Sequence, residues 1–283
     1  GSAKGEGLLT VSCAGVVQPG KSDLGDAPDS TNNFDKIMSA YPAPFAVQAN
    51  FPVIYNDGSN TGPYGPFHIN EKLVAYLGKR ITRETEADTG PDEDGVNNVN
   101  PSANSPNHDD EDDGIYYPDV DLPKCCWTTF DFEVTVVDPN TDLWFNAWID
   151  WNRDGDWDDV LDCPEEGPAP EWAVQNQFLS NLSVGVNRIT SRAFLPWHPD
   201  DGPPQIWMRL TLAEQPWKTG SNPGEVGNAG SGPRDKYLYG ETEDYYFIPD
   251  TTCLICSDYN GDGVIDTDDL VLFTEMWLQD CPQ

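Results

Sequence analysis

From about residue 130 onward the chain alternates apolar and polar residues in short runs, the pattern of strands with one face buried. In "FDFEVTVVD" the alternation puts Phe130, Phe132, Val134 and Val136 on one face. "QIWMRLTLAE" does the same with Ile206, Met208, Leu210 and Leu212. "LWFNAWIDW" carries large side chains at both parities, which predicts a central strand covered on both faces. Further strands are expected at "KLVAYLG", "VGVNRITSRAF" and "ETEDYYFI". Turns rich in Pro and Gly separate these runs, and no amphipathic helix lies between them. The expected fold is all-β, an antiparallel β-sandwich.

A single helix is expected, at "TDDLVLFTEMWLQD" near the C-terminus, with Thr267 as N-cap and Leu270, Phe273 and Trp277 on one face. Three regions follow from this reading. Residues 1–20 form a β-prone arm containing "LLTVSCAGVVQP", residues 21–250 form the sandwich domain, and residues 251–283 form a small terminal unit. The stretch from 82 to 113 is acidic and rich in turn residues. Its acids, among them Glu84, Glu86, Asp88, Asp92, Asp94, Asp109, Asp110, Asp112 and Asp113, read equally as solvated charge or as one or two loose cation sites.

Charge changes the picture. The 283 residues hold 49 Asp and Glu against 15 Lys and Arg, a formal net charge of −34. Nucleic acid and anionic membrane are therefore poor partners. No apolar run approaches membrane-spanning length, and no leader-like segment opens the sequence, which reads as a mature or trimmed form. Solvated acids come in blocks, whereas ligand acids recur at fixed offsets. The second arrangement occurs twice.

In "DYNGDGVIDTDD" the residues Asp258, Asn260, Asp262, Val264 through its carbonyl, Asp266 and Asp269 occupy positions 1, 3, 5, 7, 9 and 12 of an EF-hand loop. Gly263 stands at position 6, and the predicted helix follows. In "DWNRDGDWDD" the residues Asp150, Asn152, Asp154 and either Asp156 or Asp158 repeat the alternate spacing, with Gly155 sixth. Here no helix follows, so a calcium loop between strands is expected. Alternation along "GETED" places Glu241 and Glu243 on one strand face, and one of them is expected to complete the Asp150 site. Two or more Ca²⁺ ions are implied.

Seven cysteines and three histidines show no zinc spacing, which favours structural disulfides in an oxidising compartment. The expected pairs are Cys281 with Cys256 or Cys253, and Cys163 with Cys125 or Cys126. Catalysis is not expected. No nucleophile elbow or phosphate loop occurs, and in so acidic a chain carboxylate pairs arise by chance.

The C-terminal loop and helix resemble one repeat of a type I dockerin over about residues 257–278. "WIDWNRDGDWDD" followed by "GETEDYYF" resembles the GEVED domain of bacterial surface and secreted proteins. Upstream "DLGDAPDS", "YLGKRITRETEAD", "DEDGV" and "DDEDDGI" are similar to segments that precede that domain. The combination looks like planctomycete-type secreted or cell-surface proteins. The resemblance implies an extracellular location and β architecture, and no defined activity. Together these readings describe a calcium-stabilised extracellular structural or adhesive protein that associates with itself as a homo-oligomer or polymer. The alternative is a secreted module that binds polysaccharide or the cell surface through Trp172, Trp197, Trp207 and Trp217, or a dockerin-type protein-binding module.

Overall fold

The computed structural model describes residues 23–30, 37–53, 65–81, 112–115, 120–219 and 229–251, with Thr267, Leu270, Val271, Leu272 and Thr274 of the C-terminal segment. Eleven strands occur in this part of the chain: β1 (Asp23–Leu24), β2 (Phe67–His68), β3 (Ala75–Leu77), β4 (Asp131–Val136), β5 (Leu143–Ile149), β6 (Val160–Cys163), β7 (Gly167–Pro170), β8 (Val174–Leu179), β9 (Gly185–Thr190), β10 (Ile206–Ala213) and β11 (Gly240–Phe247). The five described C-terminal residues are helical. Among the described residues no helix is long and apolar enough to cross a membrane.

All strand pairs are antiparallel. A four-stranded sheet runs β11-β10-β5-β8, and a three-stranded sheet runs β3-β4-β9. The two share one apolar cluster. Phe132, Val134 and Val136 of β4 join Phe145, Ala147 and Ile149 of β5, and Met208, Leu210 and Leu212 of β10. Phe132 and Phe145 stack at 3.7 Å between ring centroids, which brings β4 and β5 face to face. The alternation in these strands thus does what its period dictates, turning every second side chain inward.

β10 departs from the half-buried expectation, because all eight of its residues are buried. Its second face, with that of β5, is covered by a layer of loops. Trp148 and Trp207 pack there with Met38, Tyr41, Phe51, Trp157 and Trp217. Trp207 Nε1 donates to the Ala40 carbonyl at 2.7 Å, and Trp217 Nε1 to Ser231 at 2.8 Å, so both indoles are satisfied inside the layer. Trp207 and Trp217 are therefore core residues, and the four-tryptophan platform of the alternative reading loses half its members. Trp172 and Trp197 are half-buried.

A disulfide joins Cys125 to Cys163 across 38 positions. Of the two partners left open for Cys163 the structure places Cys125, and Cys126 is itself disulfide-bonded. The expected pair between Cys281 and Cys256 or Cys253 lies outside the described residues, as does the arm 1–20. So do all six ligands of the C-terminal loop, Asp258, Asn260, Asp262, Val264, Asp266 and Asp269.

Candidate cation site

β5 delivers its last residue, Ile149, into the inter-sheet core, and the next residue, Asp150, opens a loop that runs to Asp159 before β6 begins. Along this loop burial alternates. Trp151, Arg153, Gly155 and Trp157 are buried, while Asn152, Asp154, Asp156 and Asp158 are at least partly open. The chain turns through positive φ at Arg153 (64°) and Gly155 (97°). Glycine is needed at 155, because a Cβ there would meet the Gln48 carbonyl oxygen at 2.4 Å. The same close approach lets Asn50 N–H donate to the Gly155 carbonyl at 2.8 Å, so the loop carries the segment 38–51 on its back.

Asp150 is fully buried. Its carboxylate accepts from Asp154 N–H at 3.1 Å, Gly155 N–H at 3.1 Å and Tyr41 O–H at 2.8 Å. The first two bonds are those a loop makes when it wraps around its own leading carboxylate. Burial pushes this carboxyl up to about 7, against the lowering effect of the Tyr41 bond. Asn152 Nδ2 donates to Asp154 at 3.0 Å and to Asp159 at 2.6 Å, tying the two ends of the loop together.

Glu171, on the connection from β7 to β8, is also fully buried. Its main chain is held on both sides, with its N–H donating to Asp159 and its carbonyl accepting from Ile149 and Ala173. One side-chain oxygen accepts from Asp159 N–H at 3.0 Å, and Oε1 has no hydrogen-bond partner. Burial, followed by the charge of Asp150, raises this carboxyl to about 10. Carboxylate oxygens of Asp150, Asp154 and Glu171 lie within 4.8 Å of one another, and Asp154, Asp156 and Asp159 form a second such group nearer the surface.

These positions revise the expected ligand set. Asp150, Asp154 and Asp156 fall in the two groups as their spacing suggests, and Asn152 sits among them. Asp158 falls in neither group, and one of its oxygens accepts from Ala229 N–H at 2.6 Å. Glu241 and Glu243 do not reach the Asp150 loop either. Glu241 accepts from Leu77 N–H at 2.7 Å, while Glu243 accepts from Asp113 N–H, Gly114 N–H and Tyr245 O–H. They clamp β3 and the segment 112–115 to β11. Burial drives both carboxyls up, Glu243 to about 8 and Glu241 well above its ordinary value, with the neighbouring acids adding to the effect.

The third acid of that strand has a separate task. Asp244 lies directly opposite Arg209 in the β10–β11 register. Arg209 Nε donates to Oδ1 at 2.7 Å and Nη2 to Oδ2 at 2.5 Å, with both side chains fully buried. The same carboxylate accepts from Asp26 N–H and Ala27 N–H. Arg209 also donates through Nη1 to the carbonyls of Pro52 and Gly230, and lies over the Trp157 ring at 4.7 Å. Gly240 begins the strand at φ 106°, where a Cβ would meet the Leu212 carbonyl oxygen at 1.8 Å.

Sequence reasoning missed Glu171 and Asp159. Asp159 follows directly on a counted loop position. Glu171 stands 21 residues beyond Asp150 between Pro170 and Trp172, and its only signal is one acid in an otherwise apolar stretch. No curated protein and no solved structure matches the chain. One family does: residues 144–248, the span that carries the acidic loop, Glu171 and the Gly240–Asp244 motif, match the family model of the GEVED domain.

Proposed function

We propose that this chain is a calcium-stabilised extracellular structural or adhesive protein that associates with itself, built on a β-sandwich and without a catalytic role. The observation that carries the calcium reading is the loop from 150 to 159, which folds around the fully buried carboxylate of Asp150. Burying a carboxylate without a countercharge costs several kcal/mol by desolvation, on the order of the stability of a whole domain. A divalent cation held by the loop oxygens removes that cost. The shared core of the two sheets supports the sandwich, and the Cys125–Cys163 disulfide supports an oxidising, extracellular setting. The C-terminal loop at Asp258 is proposed as a second, dockerin-like calcium site.

Self-association draws on the sheet edges. Among the described residues, β8 and β9 end their sheets with no further strand beside them, and Phe178, Val184 and Val186 are exposed there. Each bound Ca²⁺ also cancels two of the negative charges that hold copies apart. The test is thermal unfolding by calorimetry with calcium and with chelator. Free calcium at 100 times its Kd adds about 2.7 kcal/mol to the native state. For a domain of this size that shifts Tm by about 5–10 °C. An unchanged transition overturns the reading. Light scattering in the same two conditions tests association, which is expected in calcium and lost in chelator.

A further inference from the structure

We infer that the β5–β6 loop and the β7–β8 connection together build one buried centre for a hard divalent cation, Ca²⁺ in the first instance, with Asp150, Asp154 and Glu171 as its carboxylate ligands. The inference rests on the calcium reading above and deepens it, because Glu171 comes from outside any loop motif.

Oxygens of the three side chains lie within 4.8 Å of one another. Three oxygens so grouped lie at most about 2.8 Å from a common centre, against an ordinary Ca–O range of about 2.3–2.6 Å, so a shift of a few tenths of an ångström lets all three share an ion. A group of acids alone would carry no such conclusion, but here one ligand is built and unused. Glu171 is 0% exposed, and its Oε1 accepts from no donor. Nor is the residue free to turn outward, since its N–H, its carbonyl and its other carboxylate oxygen are all engaged. Native structures leave few buried polar atoms unpaired, and each exception calls for a physical explanation.

The nearby cation does not supply it. Arg153 directs its guanidinium to the carbonyls of Trp151, Asp150 and Gln205 and to His198 Nδ1, not to these carboxylates. Three carboxylates to which no basic side chain donates among the described residues suit a doubly charged, oxygen-seeking ion better than a thiolate- or imidazole-loving one. Such an ion joins three parts of the domain: the end of β5, the turn of the loop, and the chain entering β8. Through the Tyr41–Asp150 hydrogen bond it also steadies the segment 38–51.

The experiment is calorimetric titration of the full chain with Ca²⁺, comparing wild type, Glu171→Gln, an Asp258→Asn/Asp262→Asn double variant, and Asp162→Asn at an exposed position of β6 as a control. Glu171→Gln is expected to lose one bound ion or weaken one site at least tenfold, while the double variant keeps that site and the control binds as wild type. Unaltered binding by Glu171→Gln, or loss of all binding in the double variant, overturns the centre and leaves the calcium reading standing. Absence of binding by wild type overturns both. Thermal melts guard against simple misfolding. Glutamine is nearly isosteric and uncharged, so the variant is expected to melt below wild type in calcium and at or above it in chelator. A drop of equal size in both conditions assigns Glu171 to packing alone and overturns the inference.

Discussion

Replacing Asp244 by Asn tests the most heavily used carboxylate of β11. Asp244 and Arg209 are both fully buried and joined by two parallel hydrogen bonds of 2.7 and 2.5 Å. Asparagine keeps the shape, removes the charge and turns one acceptor into a donor. Its NH₂ must then face the Arg209 guanidinium in either orientation, and in one of them the N–H groups of Asp26 and Ala27 as well, all of them donors. Arg209 is left charged in a site closed by Trp157, Pro52 and Gly230. Removing one partner of a buried ion pair costs about 3–5 kcal/mol, mostly from the charge left behind. Urea unfolding followed by tryptophan fluorescence is suited to the measurement, since Trp157 and Trp207 lie in the affected layer. With a slope of about 3 kcal/mol per M the midpoint falls by about 1–1.7 M. The double variant Arg209→Met/Asp244→Leu removes both charges and is expected to recover part of the loss. A single variant within about 1 kcal/mol of wild type, or a double variant as unstable as two independent losses, refutes the reasoning.

Three further outcomes are expected. Cys125→Ser opens a loop of 38 positions, and the chain-entropy relation puts the loss at about 4 kcal/mol, readable as a lower urea midpoint without reductant. Gly240→Ala is expected to lower Tm, because its φ of 106° alone costs about 1–3 kcal/mol and the added Cβ meets the Leu212 carbonyl. His68 is held neutral, its pKa lowered to about 4 by burial against the opposing effect of its bond to the Tyr239 carbonyl. A lowered imidazole pKa stabilises the fold above about pH 6.5, and that contribution is lost as pH falls toward 4. By pH 5 the loss amounts to about 2 kcal/mol, so His68→Gln is expected to flatten the fall in urea midpoint between pH 7.5 and 5.

Legibility followed the range of the forces involved. Alternation is local, and β4, β5 and β10 were readable from it, down to the face each apolar residue takes. The pairs β1–β2 and β6–β7 were not. The first two strands have two residues each, and β7 (Gly167–Pro170) contains Pro168 and Pro170, which propensity excludes from a sheet interior. Its hairpin with β6 persists beside the Cys125–Cys163 bridge, a long-range cross-link. Glu241 and Glu243 were rightly grouped on one face, but which face depends on register. Leu210 pairs with Glu243, so the carboxylate shares the face of a core leucine and meets the segment 112–115 instead of the Asp150 loop.

The same distinction separates the two groups of buried acids. On β11 each carboxylate has an identifiable protein partner: Leu77 N–H for Glu241, two backbone N–H groups and a tyrosine for Glu243, an arginine for Asp244. Such acids act as clamps, gathering distant backbone onto one strand, and they need nothing from solution. At the loop after β5 the protein supplies donors to Asp150 but leaves an oxygen of Glu171 without one, in a position its main chain cannot vacate. A buried acceptor of that kind is resolved by a proton or by a cation. The proton leaves the neighbouring acids of the loop, Asp154, Asp156 and Asp159, without a common purpose, whereas a cation gives the inner group its countercharge and the outer group a reason to face it. Under the proposed centre a chain at −34 uses a few of its many acids as ligands, and the fully buried Asp150 and Glu171 are the two whose charge a cation would neutralise inside the fold.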